Sequence, residues 1–271
     1  MLLINKRRSD VSGMFQAIQD IVKYRLLLRY LVTLELKQRY RGSVLGFLWT
    51  LLNPLLLMIV MWAVFSRIRN FNQEHYALFL FSGLMSWLFY AQSVEQSLNT
   101  IVSRAGLFKN LYLPKVIFPM SVVSSNLVNL VFFFGAYLLM SAATGKMLPA
   151  TALLLPVAIF GLFLFALGTA LITCSLNVFF RDITHLTTAI LRALFYITPI
   201  FYSPEMLGEK ATFFLKLNPL YYPITCVRNV LFDGIVPSVM DWTLTFGIGT
   251  LLVLIGLSIF RNTESKFVYY T

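Results

Sequence analysis

Residues able to do covalent or metal chemistry are sparse in this chain of 271 residues. Its two histidines, His75 and His185, flank different apolar runs and are expected at opposite ends of the structure those runs build. They cannot share a metal ion or relay a proton. The one Gly-Lys pair, Gly145-Lys146, is followed by Met147 and lacks the Gly-x-x-x-x-Gly-Lys-Ser/Thr frame that cradles nucleotide phosphates. No catalytic residue and no metal ligand is assigned, and the chain is not read as an enzyme. What remains is cationic chemistry: in LELKQRYRGS the side chains of Lys37, Arg39, Tyr40 and Arg41 stand immediately before a long apolar run. Arg grips phosphate oxygens bidentately and Lys supplies a point charge, so this pattern suits an anionic headgroup at the edge of a membrane. The competing reading is topological: Lys and Arg collect on one side of many membrane proteins and bind anionic lipid there.

The elements that must position this ledge follow from hydropathy. Hydrophobic residues make up 58% of the chain, charged residues 12%, and mean hydropathy is +0.77. That leaves too little polar surface to coat a water-soluble globule, so the chain is an all-α integral membrane protein. The net charge of +11 then reflects topology, and nucleic acid is excluded as a partner. Runs able to cross ~30 Å of hydrocarbon at ~1.5 Å per residue occur at 44–65, 77–98, 116–142, 153–180, 184–202 and 244–260. Six spans place both termini on one side. Lys and Arg crowd the N-terminal segment, the loop after the second run, the FFRD turn and the C-terminal tail. Both termini are therefore expected in the cytoplasm of a multi-pass plasma (inner) membrane protein.

Three units follow: a cytoplasmic segment 1–43, a six-helix transmembrane domain 44–260 and a cytoplasmic tail 261–271. Within 14–23, Met14, Phe15, Ala17, Ile18, Ile21 and Val22 share one helical face and Gln16, Gln19, Asp20 and Lys23 the other. This predicts an amphipathic helix, lying on the membrane surface or against a partner. No removable signal peptide is expected. The outer loop 203–243 contains LNPLYYPITCVRNVLFDG, too aromatic for a loose linker and broken by Pro219 and Pro223. It is read as short re-entrant helices, which survive at membrane depth only when buried in protein or lining a wet cavity. Cys174 and Cys226 fall at different depths, and no disulfide is expected.

Polar groups inside the runs form two strips. Gln92, Glu95, Gln96 and Asn99 recur on one face of the second run, and Ser121, Ser124, Ser125, Asn126 and Asn129 on the third. Arg192 is the basic residue inside the fifth run, at a depth near Glu95. Two readings stand: hydrogen bonding between helices, and a polar vestibule lining a pathway.

The stretch ELKQRYRGSVLGFLWTLLNPLLLMIVMWAVFS closely resembles the start of the polysaccharide-exporting permeases of ABC transporters. Members of that family move lipid-linked O antigens, capsular polymers and teichoic acids. Glu35-Leu36-Lys37 and Arg39-Tyr40 are followed at the family's interval by Leu45-Gly46, Leu48-Trp49 and Asn53-Pro54. The likeness extends over the whole chain, through the basic loop after the second run, FFRD after the fourth, and NPLYY before the last. It implies a homodimeric channel resting on two copies of a separate ABC ATPase, which bind the ATP and Mg, so this chain holds no cofactor. It also implies a coupling helix in the inner loop 100–115. Arg104, Phe108, Lys109 and Asn110 are then the contact residues, and Arg181 and Asp182 of FFRD a second contact. The implied substrate is a glycan on undecaprenyl pyrophosphate or a similar lipid, O antigen first, and the ledge Lys37, Arg39, Tyr40 and Arg41 would receive its headgroup.

Sugars present apolar C–H faces, and aromatic rings along a channel would give them sliding contacts. Phe65, Phe79, Phe89, Tyr90, Phe201, Tyr202, Tyr221 and Tyr222 are the candidates, against ordinary packing or an interfacial belt. A secondary transporter would need ionisable residues at midplane or inverted repeats. A membrane transferase would need a catalytic constellation. Neither pattern is present in the sequence, and within the family the competitor is export of a drug or small lipid.

Overall fold

The structure is a computed structural model and describes residues 23–39, 41–65, 75–106, 114–203 and 208–270. All regular structure among them is helical. Besides a single α-helical turn, Thr100–Ser103, the helices are α1 (Arg25–Arg39), α2 (Trp49–Phe65), α3 (Tyr76–Leu98), α4 (Ile117–Thr144), α5 (Leu155–Phe179), α6 (Ile183–Ile197), α7 (Gly208–Lys216), α8 (Tyr221–Arg228), α9 (Val239–Glu264) and α10 (Phe267–Tyr270). Four stretches are long and apolar enough to cross a membrane: α3, α4, α5 with the 3-10 turn before it, and α9. Apolar helices α2 and α6 are shorter. The amphipathic stretch at 14–23 falls outside the described residues, Lys23 apart.

Helix α3 is the centre of the bundle and is buried along most of its length. Its polar residues are mainly serines, and three of the four bond within their own turn. Ser82 donates to the Phe79 carbonyl (2.7 Å), Ser86 to Ser82 (3.0 Å) and Ser97 to Ser93 (2.6 Å). A hydroxyl that bonds within its own turn leaves a small side chain against which α4 and α5 pack closely. In α4, Ser121 and Ser125 do the same toward Phe118 and Val122.

The most extensive helix pair is α5 with α9. Gly161 and Gly168 on one, and Gly249 and Gly256 on the other, lie two turns apart and form matching stripes. A Cβ added at Gly168 would sit 2.5 Å from the backbone carbonyl carbon of Leu252, and one at Gly256 2.9 Å from the Gly168 oxygen. Without a solvent-driven hydrophobic force between helices, such close van der Waals contact is what holds them together in lipid.

Several ends differ from the hydropathy reading. The run at 184–202 is helical only to Ile197: Pro199 forces Thr198 into extended backbone (ψ 134°). Helix α9 starts five residues before its apolar run, where Ser238 accepts from the Asp241 N–H (3.1 Å) and the Asp241 carboxylate accepts from the Ser238 N–H (3.2 Å). It also continues past Phe260 to Glu264. Helix α1 is an addition to that reading. Tyr24, Leu27, Leu28 and Leu31 follow one helical face and pack on the core, and α1 lies along α4. Leu26 and Tyr30 point away, 72% and 65% exposed.

Side-chain contacts define two ends. The chain-terminal end gathers Arg39, Arg104, Lys115, Arg181 and Glu264. The distal end gathers Tyr76, Lys146, Thr151 and Arg228. There α7 and α8 form separate helices, with Pro219 between them and Pro223 in the first turn of α8, where no N–H is needed. Helix α8 is buried against α3, α5 and α9 and passes into a π-helical turn, Asn229–Asp233. Thr151 donates to the Val230 carbonyl (2.9 Å) and Tyr137 to Leu231 (3.3 Å), tying that turn to the bundle.

Candidate functional site

The cationic ledge is the C-terminal turn of α1, where Lys37 and Arg39 also complement the helix dipole. Lys37 and Arg41 are exposed, while Arg39 turns inward. Its Nη2 donates to Gln96 Oε1 (2.7 Å) and to Asn126 Oδ1 (3.1 Å). Asn126 Nδ2 in turn donates to Gln96 Oε1 (3.2 Å), and Asn129 Nδ2 to Asn126 Oδ1 (3.3 Å). The two polar strips therefore meet, joined to each other and to the ledge by neutral amides. Beside them is a cleft of about 210 Å³ lined by Arg39, Trp49, Thr50, Asn53, Gln92, Gln96, Asn129 and Phe133. Pro54, which contributes no N–H, follows Asn53 on its α2 wall. Both sequence readings of the strips have a physical counterpart here: interhelical hydrogen bonds, and a small polar recess at their edge. Glu95 and Arg192 are exposed and form no ion pair with each other. Tyr40 lies outside the described residues.

Arg104 is engaged within the chain. It forms a salt bridge with Glu35 of α1, its guanidinium carbon lies 5.3 Å from the Phe118 ring centroid, and burial pushes its pKa below the ordinary value. Within the chain it braces α1 to the loop after α3, the loop for which a partner contact is expected. Phe108, Lys109 and Asn110 lie outside the described residues. Arg181 and Asp182 are exposed in the turn between α5 and α6.

A contact that sequence reasoning missed joins these loops. Glu264 Oε1 accepts from the Lys115 N–H (2.9 Å), and Lys115 Nζ donates to the Glu264 carbonyl (2.6 Å). Burial lowers the Lys115 pKa, with Glu264 opposing. Phe267 of α10 is fully buried against Phe179 and Phe260, and Tyr270 meets Phe179 edge-on at 5.0 Å. Arg181 Nη2 reaches the Tyr270 carbonyl at 3.5 Å. The aromatic cluster FVYY was the available signal. On the same end, Asn177 Nδ2 donates to the Leu98 carbonyl (3.0 Å) and to Asn99 Oδ1 (3.1 Å), while its Oδ1 accepts from Thr184 (2.8 Å). Asn99 thus ties the end of α3 to the α5–α6 turn.

The aromatic candidates divide by depth. Phe89 and Tyr90 are buried in the single-chain core, Tyr90 donating to Thr169 Oγ1 (3.3 Å), so they face neighbouring helices rather than an open passage. At the distal end, Phe79 packs edge-on to Phe232 (5.6 Å), and Tyr76 donates to the Phe201 carbonyl (2.7 Å). Tyr202 donates to the Tyr196 carbonyl (3.1 Å), and Tyr222 to the Lys216 carbonyl (3.0 Å). Tyr221 meets Tyr222 edge-on at 5.3 Å. Phe65 ends α2, and its side chain falls outside the described residues. Both cysteines are free: Cys174 within α5, and Cys226 in α8 with Sγ 3.6 Å from Thr245 Oγ1. Among the described residues no group of His, Cys, Asp and Glu could hold a metal ion.

Comparison with known proteins gives the family of the chain. Residues 27–232, from α1 through the π-helical turn, match the family model described as ABC-2 type transporter. The O-antigen export system permease protein RfbA of Myxococcus xanthus is 31% identical over 256 residues, covering 94% of this chain and 98% of that protein. A protein of the same description from Klebsiella pneumoniae is 29% identical over 243 residues, 89% of this chain and 93% of its own length. The polysialic acid transport protein KpsM of Escherichia coli is 21% identical over 254 residues, with coverage of 91% and 95%. With most of its length matched by the model and nearly all of it by these relatives, the chain belongs to the membrane-protein family of ABC-2 type transporters.

Proposed function

We propose that this chain is the channel-forming permease subunit of an ATP-driven exporter that moves a lipid-linked polysaccharide, O antigen first, out across the plasma membrane. In this reading α2 and α6 join the four long helices as spans. Both ends of the chain lie in the cytoplasm, and α7 and α8 re-enter the membrane from outside. Two copies form the conduit, and two copies of a separate ABC ATPase supply the energy. The observation that carries the reading is the seating of Arg39. Its guanidinium is fixed by Gln96 and Asn126 at the mouth of a polar cleft, with Lys37 and Arg41 exposed beside it. A polyisoprenyl pyrophosphate carries dense negative charge at this interface while its tail stays in lipid, and a pre-oriented guanidinium suits its oxygens.

The ATPase would bear on the loop bounded by Arg104 and Lys115, through Phe108, Lys109 and Asn110, and on the exposed Arg181-Asp182 turn. The Glu35–Arg104 brace would carry motion of that loop to α1 and hence to the ledge. Similarity to a polysialic acid transport protein supports a capsular polymer as the alternative cargo of the same machine. The test is deletion of the gene in its own host. Loss of surface polymer with accumulation of lipid-linked glycan on the cytoplasmic side supports the reading, and normal surface polymer rejects it.

A further inference from the structure

The distal end holds a second, larger cleft, about 650 Å³ in volume, between the start of α3, helices α7 and α8, the π-helical turn and the start of α9. That lies within the ~300–1,000 Å³ of sites that hold small ligands. In its wall is Arg228, which is only 3% exposed. The guanidinium carbon lies 4.2 Å from the Phe79 ring centroid and Nη2 donates to the Ile200 carbonyl (3.0 Å), but Nε, also buried, has no acceptor. A buried N–H left without a partner is costly, and such groups in native proteins call for a missing ligand or water. Position 83 makes the seat available: a Cβ on Gly83 would fall 2.3 Å from Arg228 Nη2.

The rest of the lining selects the ligand. Lys216 contributes a cation, Asp233 and Asp241 contribute carboxylates, Asn229 an amide, and Tyr221 and Tyr222 aromatic rings. A free anion would meet two carboxylates, and a cation would meet Arg228 and Lys216. A hydroxyl both donates and accepts, so a neutral polyol satisfies both signs at once, and the rings suit the C–H faces of a sugar.

We propose that this cleft binds a short neutral saccharide segment, with the Arg228 guanidinium donating to a sugar hydroxyl and Lys216 and Asn229 holding its neighbours. It rests on the export reading and deepens it: the site would retain the emerging chain at the exit end between strokes. The test uses the whole transporter, this chain with its ATPase, in nanodiscs. The probe is the oligosaccharide repeat released by mild acid from the host's own surface polymer, followed by saturation-transfer NMR and calorimetry, with inorganic phosphate as the parallel arm. The expected result is saturable oligosaccharide binding that Lys216→Ala and Asn229→Ala, both at partly open positions, each weaken at least tenfold, and that Arg228→Lys abolishes. Absence of saturable oligosaccharide binding, wild-type affinity in the two alanine variants, or displacement of the sugar by phosphate would overturn the proposal. If gene deletion leaves surface polymer intact, the export reading itself fails. If deletion abolishes export while the alanine variants bind normally, only the saccharide site fails.

Discussion

Gly168 of α5 and Gly256 of α9 meet backbone to backbone: a methyl group on Gly256 would stand 2.9 Å from the Gly168 carbonyl oxygen and 2.8 Å from Leu171 Cβ. Overpacking a core against movable side chains costs about 1–3 kcal/mol, and here one obstacle is main chain. Gly256→Val is expected to lower the unfolding temperature of the solubilised protein by several degrees or prevent its accumulation. Gly247→Val, at a position with open space around the Cβ, should change it little. Thermal scans of the two variants side by side check this.

Arg39 is read as the fixed phosphate grip of the ledge. Arg39→Lys keeps the charge but loses the planar fork that reaches Gln96 and Asn126 together. Surface polymer should fall at least tenfold in Arg39→Ala and clearly in Arg39→Lys, while both variants still copurify with the ATPase. Polymer blots and pull-downs give the two readouts.

The Glu35–Arg104 bridge is partly buried, with about a fifth of each side chain exposed. Removing one partner should cost about 1–2 kcal/mol, between the values for surface and buried pairs. Glu35→Gln and Arg104→Gln should each weaken stimulation of ATPase activity by substrate. The exchange Glu35→Arg with Arg104→Glu should recover part of it, measured on the reconstituted complex.

Phe267 fills a closed aromatic cluster with Phe179 and Phe260. Phe267→Ala should cost about 3–5 kcal/mol locally by leaving a cavity, releasing α10 from the α5–α6 turn. The measurable outcome is faster amide exchange at 264–270 and weaker retention of the ATPase, with the spans unchanged.

Much of the bundle was legible because a membrane imposes one rule on long helices: a continuous apolar run. Helices α3, α4, α5 and α9 obey it, and ends shifted where local chemistry intervened, as at Pro199 after the shorter α6 and Ser238 before α9. Helix α1 was hidden because its apolar face, Tyr24 through Leu31, is interleaved with Arg25 and Arg29, and the eye follows the charges. Of the polar residues, Gln96 and Asn126 declared themselves by spacing, and only the fold could show that Arg39 joins them. The partners of Arg104 and Lys115, 69 and 149 positions away, carry no local signal. Arg228 was unreadable for the opposite reason: its burial depends on a missing side chain at position 83, on another helix.

That last dependence reaches into heredity. The guanidinium of Arg228 holds its present seat only while its neighbour on α3 has no side chain to put in the way, so the two positions are coupled. An alanine at 83 would force the Arg228 guanidinium to shift from this seat, and a shorter residue at 228 would relax the demand for glycine. Lineages that keep this arginine in its seat should therefore keep the glycine, while lineages without it need not.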